Sequence, residues 1–377
     1  MADMLDTLRA VLQHQPVRDW RQFACVNALW CEAVRSMKSE LRIPLSKLRT
    51  FGEPPSKQIP CHPPPPGWLW NRGTQCFPQH SLALVPDGTI ALSDHSAGIA
   101  FWDLVKGEYL RTIGEQWEEG IDEAKTLVMD CHGTAVLATA GDYLYLADPP
   151  DGGVKKVRIS DGLPMGEIFC YSPGALAVGG DKLFVLHMTE LGEDGQYITE
   201  SDEVHCAVYD LDEHAATFPS RAPTCFLPEI EAAVSSLNRC GMSPLAADSS
   251  MLVACDAGNH RLLCWGLCWP AEPRFLRSIG RAGPWALGLG CSKGTKPGEF
   301  RTGPAAIAVH DGLIYVAENE RIQVLTAEGK PLQSIPMGGC EVTSVCVNDK
   351  YVCVGTIGRN SPGRPDGLET ISVFARP

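Results

Sequence analysis

One stretch of this 377-residue chain constrains its fold more than any other, because it spells a complete four-stranded antiparallel unit in order. Gly294 to Pro304 is a Gly/Pro-rich lead-in, Ala305–Val309 an apolar strand, and His310-Asp311-Gly312 the turn of a tight hairpin. Leu313-Ile314-Tyr315-Val316-Ala317-Glu318 supplies the second strand, Arg321-Ile322-Gln323-Val324-Leu325 the third, and Pro331-Leu332-Gln333-Ser334-Ile335 the fourth after a glycine turn. Short apolar runs separated by Asp-Gly and Gly turns are hairpin chemistry, since the tight turns need positive φ.

The fourth-strand signature recurs. A Leu, a polar or basic residue, Thr or Ser and an apolar residue appear at Leu110-Arg111-Thr112-Ile113, Leu276-Arg277-Ser278-Ile279, Leu332-Gln333-Ser334-Ile335 and, early, Leu48-Arg49-Thr50-Phe51. From Gly114 to Gly280 is about three repeats of ~55 residues, which places two diverged copies near 121–160 and 174–218. Met251-Leu252-Val253-Ala254-Cys255-Asp256-Ala257-Gly258-Asn259-His260-Arg261-Leu262 is a second close copy of the 313–322 pattern. These units resemble NHL repeats. The resemblance implies an all-β, six-bladed β-propeller over residues 45–377. The last blade, with strands at Thr343–Val347, Tyr351–Val354 and Thr370–Phe374, lacks a fourth strand before Pro377. Residues 45–52 are expected to supply it, closing the ring with an N-terminal strand and removing an exposed sheet edge.

A different pattern precedes the repeats. Leu5, Leu8, Val11 and Leu12 fall on one helical face, and Pro16 ends that helix. A second helix opens at Asp19 and carries Phe23, Val26, Trp30, Val34, Met37 and Leu41 on its apolar side. The run Val17 to Glu32 resembles the second half of an F-box, though the Leu-Pro pair that usually opens that motif is absent. The resemblance makes residues 1–44 a small F-box-like helical element that docks on the Skp-type adaptor of a cullin ubiquitin ligase. It assigns Leu5, Leu8, Leu12, Val17, Val26 and Trp30 to the adaptor-facing and core positions. The same apolar face equally fits a helical cap packed on the propeller.

Composition excludes several classes. The net charge is −13, and residues 1–44 carry six basic against five acidic side chains, so the propeller is the acidic part. RNA binding by propellers of this kind needs a concentrated basic face, and the balance argues against it. The acidic N-terminal residues Asp3 and Asp6, without a long apolar core, do not read as a signal peptide, and no transmembrane segment is expected. The sixteen cysteines are scattered singly through strands, which suits buried thiols in a reducing compartment, cytoplasmic or nuclear. Cys264 and Cys268 form a close pair in sequence, with no second pair to complete a metal site.

Asp87, Asp130, His132, His310, Asp311 and Asp349 align at or near the first hairpin of their units. A tight turn accounts for them better than a metal centre does. With no nucleophile motif and no phosphate loop, the chain reads as a non-enzyme, without cofactor or metal. A metal-dependent channel hydrolase or lyase is the enzyme alternative. Asp256 with Arg261, and Glu318 with Arg321, read as carboxylate–Arg staples across hairpins. Leu191 to Glu203 reads as a solvated acidic loop, and Pro54 to Pro66 as a polyproline strap. The Gly-rich loop Arg281 to Lys296, with Trp285, Leu287 and Leu289, is either a protein-partner surface or a segment folded over the propeller. The function that follows is recognition of a protein partner by the propeller, coupled to a ubiquitin ligase through the helices; a propeller scaffold with a helical cap is the alternative.

Overall fold

The computed structural model describes residues 46–52, 81–94, 98–116, 128–129, 136–148, 153–170, 173–188, 204–211, 223–227, 244–256, 260–268, 271–280, 296–300, 304–318, 321–337, 340–358 and 369–376. The proposed helices at 1–44, the strap at 54–66, the acidic loop at 191–203, Asp130, His132 and the loop bearing Trp285, Leu287 and Leu289 lie outside the described residues.

The strands, in chain order, are β1 (Ser46–Gly52), β2 (Leu82–Leu84), β3 (Thr89–Asp94), β4 (Gly98–Asp103), β5 (Glu108–Ile113), β6 (Glu115–Gln116) and β7 (Val128–Met129). Then come β8 (Val136–Ala140), β9 (Tyr143–Asp148), β10 (Gly153–Arg158), β11 (Pro164–Phe169), β12 (Pro173–Gly179), β13 (Lys182–Met188), β14 (Val204–Asp210) and β15 (Cys225–Phe226). The last are β16 (Leu245–Ala247), β17 (Met251–Asp256), β18 (Arg261–Cys268), β19 (Ala271–Gly280), β20 (Ala306–His310), β21 (Leu313–Glu318), β22 (Arg321–Thr326), β23 (Pro331–Pro336), β24 (Cys340–Val347), β25 (Tyr351–Gly358) and β26 (Glu369–Ala375).

They form six antiparallel four-stranded sheets, β2–β5, β8–β11, β12–β15, β16–β19, β20–β23 and β24–β25–β26–β1, numbered here as blades 1 to 6, plus a small parallel pair, β6 with β7. In blade 6 the backbone of Ser46 lies opposite Ala375 and that of Gly52 opposite Thr370. The inner strands touch in a cycle, β2 to β8, β12, β16, β20, β24 and back to β2. That cycle is the ring of a six-bladed β-propeller. The two diverged units lie at Val136–Phe169 and Pro173–Phe226. The first hairpin of blade 2 is therefore at Gly141-Asp142, between paired Ala140 and Tyr143, and not near Asp130 and His132.

Burial explains the strand sequences. The second strand of a blade is covered on both faces by neighbouring blades, so β21 is buried at every position and reads as an unbroken apolar run up to Glu318. The outermost strand has no such cover: β23 is largely accessible and tolerates Pro331 and Pro336 at its ends. The core is thus six seams between blades. Phe101, Leu137, Leu144 and Val157 fill the seam of blades 1 and 2. Tyr145, Ile168, Leu183 and Val185 fill the next. Phe184, Val208, Leu252 and Trp265 follow between blades 3 and 4. Val253, Leu262, Phe300, Ile314 and Val316 join blades 4 and 5. Tyr315, Val324, Val345, Val352 and Phe374 join blades 5 and 6. Leu82, Ile90, Trp102, Cys353 and Val373 seal blade 6 against blade 1. Truncating one of these side chains to Ala costs about 2–5 kcal/mol in a core of this density.

Candidate functional site

Each blade runs outward from the ring's axis in the same sense, so the six hairpins that join first to second strand emerge on one face. Every one carries an aspartate: Asp87, Asp142, Asp181, Asp248, Asp311 and Asp349. Local chemistry puts them there. Asp87 Oδ1 accepts from the Thr89 amide at 2.9 Å and its hydroxyl at 2.7 Å. Asp248 Oδ1 accepts from Ser250 N at 2.7 Å, Ser250 Oγ at 2.8 Å and Met251 N at 2.9 Å. Such side-chain caps replace missing ladder bonds in a turn. Asp311 adopts φ 54° and Gly312 φ 73°, the pair of positive angles that a two-residue hairpin between His310 and Leu313 demands.

The same face carries a carboxylate–ammonium cluster on blade 3. Lys182 Nζ lies 3.0 Å from Asp181 Oδ2 and 2.5 Å from Asp210 Oδ1, and Thr224 Oγ1 donates to Asp210 Oδ2 at 2.9 Å. Burial works to lower the lysine pKa, but the hydrogen bonds to Asp210 and Asp181 outweigh it and the net shift is upward. Lys182 in turn holds the Asp210 carboxyl below its ordinary range. On blade 2, Arg158 grips Asp161 through Nε and Nη2, at 3.0 and 2.6 Å, and lowers that carboxyl as well.

The densest arrangement sits where the first hairpins of blades 5 and 6 meet. His310 Nε2 is 2.9 Å from Asp349 Oδ1 and 3.5 Å from Asp311 Oδ2. Arg376, whose side chain is 7% exposed, places Nη2 3.7 Å from Asp311 Oδ2 and donates from Nη1 to the Asn348 carbonyl at 2.7 Å. Burial draws the His310 pKa below its ordinary value, against the pull of Asp311 and Asp349. Tyr315, fully buried, has its phenol pushed up to about 12, chiefly by burial. By sequence His310, Asp311 and Asp349 are turn residues. Packing of two blades also brings them together, and a separation of 39 residues between His310 and Asp349 gave no sign of it.

The opposite face carries the staples. Arg261 Nε binds Asp256 Oδ2 at 2.6 Å, and Arg321 Nε binds Glu318 Oε2, each pair directly opposed in register. Arg321 Nη2 and Gln323 Nε2 also donate to the Glu299 carbonyl, at 2.7 and 3.0 Å, while the Gly298 amide donates to Gln323 Oε1 at 2.8 Å. The segment Lys296–Phe300 is thereby pinned to blade 5, with Phe300 driven into the seam. Of the cysteines, Cys264 is buried and Cys268 exposed, four strand positions or roughly 13 Å apart, so they share no site. Cys346 and Cys353 instead stand opposite one another across β24 and β25, both as free thiols.

No family model matches the chain, and no curated protein matches it. No helix among the described residues is long and apolar enough to cross a membrane.

Proposed function

We propose that the chain is a non-enzymatic receptor for a protein partner, with the aspartate-bearing face of its propeller taking a Lys/Arg-containing segment. The observation that carries this reading is the aspartate on each of the six inner hairpins of one face, in a chain of net charge −13. Asp142, Asp181 and Asp349 are exposed there and free of the core's desolvation penalty. Carboxylates spread over a rigid ring, alongside the Arg158, Lys182 and Arg376 cations of the same face, steer a complementary segment and set its register more than they supply affinity. Propellers are common platforms for such recognition, and the residues set the partner.

On the resemblance of the repeats we read the blades as NHL-type. On that of Val17 to Glu32, residues 1–44 couple the receptor to a Skp-type adaptor through Leu5, Leu8, Leu12, Val17, Val26 and Trp30. β1 is the closing strand of blade 6 in this reading, and truncation after Phe51 leaves an open edge and an aggregating protein. Trp285, Leu287 and Leu289 extend the partner surface. Eight free thiols among the described residues fit a reducing compartment, cytoplasm or nucleus.

Two assays separate the parts. The adaptor is pulled down with the full chain and with Val26→Ala plus Trp30→Ala; binding lost in the double variant supports the ligase connection, and no binding by the intact chain reduces the helices to a cap. Binding to a Lys/Arg-rich peptide array is compared for the intact chain and for Asp142→Asn plus Asp181→Asn. Salt-sensitive binding that the substitutions weaken supports the acidic face, and peptide binding indifferent to both rejects it.

A further inference from the structure

We propose that Cys346 and Cys353 are a redox-responsive thiol pair, which closes to a disulfide inside blade 6 and locks the seam where that blade meets blade 1. The two residues are register partners in the β24–β25 hairpin, flanked by Val345 opposite Val354 and Val347 opposite Val352. Directly opposed residues of an antiparallel pair have Cα atoms about 4.5–5.5 Å apart, inside the range of about 4.4–6.8 Å that a disulfide spans. Their side chains leave the sheet on one face, and the two thiols share a hydrogen bond. Closure therefore needs an approach of about 1 Å between the β-carbons and no change of strand register.

No other pair of cysteines among the described residues is placed this way. Cys255 lies opposite Leu262 and Cys264 opposite Val253, so those two are diagonal neighbours. Cys225 faces Val208, Cys268 faces Ala271, and Cys170 follows Phe169, the last paired residue of β11. Position also gives the link a consequence. Strands β24 and β25 both pack on β2 of blade 1, and the two cysteines lie in that seam with Leu82, Ile90, Ile371 and Val373. A bond between them fixes both strands against the neighbouring blade.

The surroundings favour a small oxidant, a hydroperoxide. Cys353 is 0% and Cys346 9% exposed, so Cys346 is the sulfur that meets it. Burial raises the Cys346 thiol well above its ordinary pKa, which keeps thiolate scarce at neutral pH and makes the response slow. In the first step the Cys346 sulfur bonds to one peroxide oxygen, the O–O bond breaks, water leaves and a sulfenic acid remains. The Cys353 sulfur then displaces the sulfenic hydroxyl, its proton leaving with that group as a second water. Two thiols and one hydrogen peroxide become one disulfide and two waters.

The test treats the folded full chain with hydrogen peroxide, blocks the remaining thiols in denaturant and digests with trypsin. Cleavage after Lys350 places the two cysteines on separate peptides. The expected result is a disulfide joining the peptide that ends at Lys350 to the one that begins at Tyr351, absent from Cys346→Ser and from Cys353→Ser. Cys340 lies on the first of these peptides, so a link that survives Cys346→Ser would overturn the proposal. So would a parent chain in which Cys268 is oxidised while Cys346 and Cys353 both remain thiols, or one in which Cys346 advances to the sulfinic acid alone. These parent readouts stand even where a serine variant does not fold. The oxidised monomer should also melt at a higher temperature before prolonged dithiothreitol treatment than after it, because the link restricts the unfolded hairpin. A disulfide formed without that difference would remove the lock.

Discussion

Asp248 Oδ2 accepts the backbone amide of Gly312 at 3.1 Å, joining the first hairpin of blade 4 to that of blade 5. Its other oxygen already holds the amides of Ser250 and Met251, so one side chain both closes its own turn and locks the next. Gly179, at the end of blade 3's inner strand, completes the contact: a Cβ there would lie 2.6 Å from the Asp248 carbonyl oxygen. Replacing Asp248 with Ala removes all of these acceptors at once, and a loss of about 2–3 kcal/mol is expected in urea denaturation.

Arg321→Ala takes the guanidinium away from Glu318, which is 2% exposed, and the neutral amide of Gln323 does not replace that charge. Removing one partner of a buried pair costs about 3–5 kcal/mol, so unfolding is expected well below the parent midpoint. Arg321→Ala plus Glu318→Gln removes the charge together with its partner and should recover part of the loss. A double variant no more stable than the single one would contradict the staple.

The Lys182–Asp210 contact has a defined pH signature. Asp210 titrates lower in the folded chain than in the unfolded one, so its contribution is present above the ordinary carboxyl pKa and fades as pH falls through the lower, folded value. The stability difference between the parent and Asp210→Asn should therefore exist at pH 7 and vanish in the acid range below about pH 3.8. It will be small, under about 1 kcal/mol, because the Asp210 side chain is 54% exposed. A difference that grows on acidification would exclude the assignment.

Native alkylation followed by peptide mapping should separate the described cysteines by burial. Cys268 is exposed and should react first, with the half-buried Cys225 slower. Burial pushes the Cys170 and Cys264 thiols up to about 12, which starves them of the reactive thiolate. They should be labelled only on unfolding.

Much of the ring was legible because its turns and strands are local. Met251 to Leu262 and Leu313 to Ile322 spell their hairpins with residues a few positions apart, and the Asp256–Arg261 and Glu318–Arg321 staples follow from register alone. Blades 2 and 3 were placed only coarsely. Their outer-strand signature has drifted, and β14 is separated from β13 by a segment long enough to blur the repeat.

The sequence by itself determined the antiparallel blades, their turns and the acidic character of the chain, since these depend on φ preference, short-range alternation and composition. Tertiary structure decided which turns face each other. His310 meets Asp349 and Asp248 meets Gly312 because rigid blades pack at fixed angles around an axis. For His310 and Asp248 the partner lies on the next blade, and no local pattern along the chain encodes that distance.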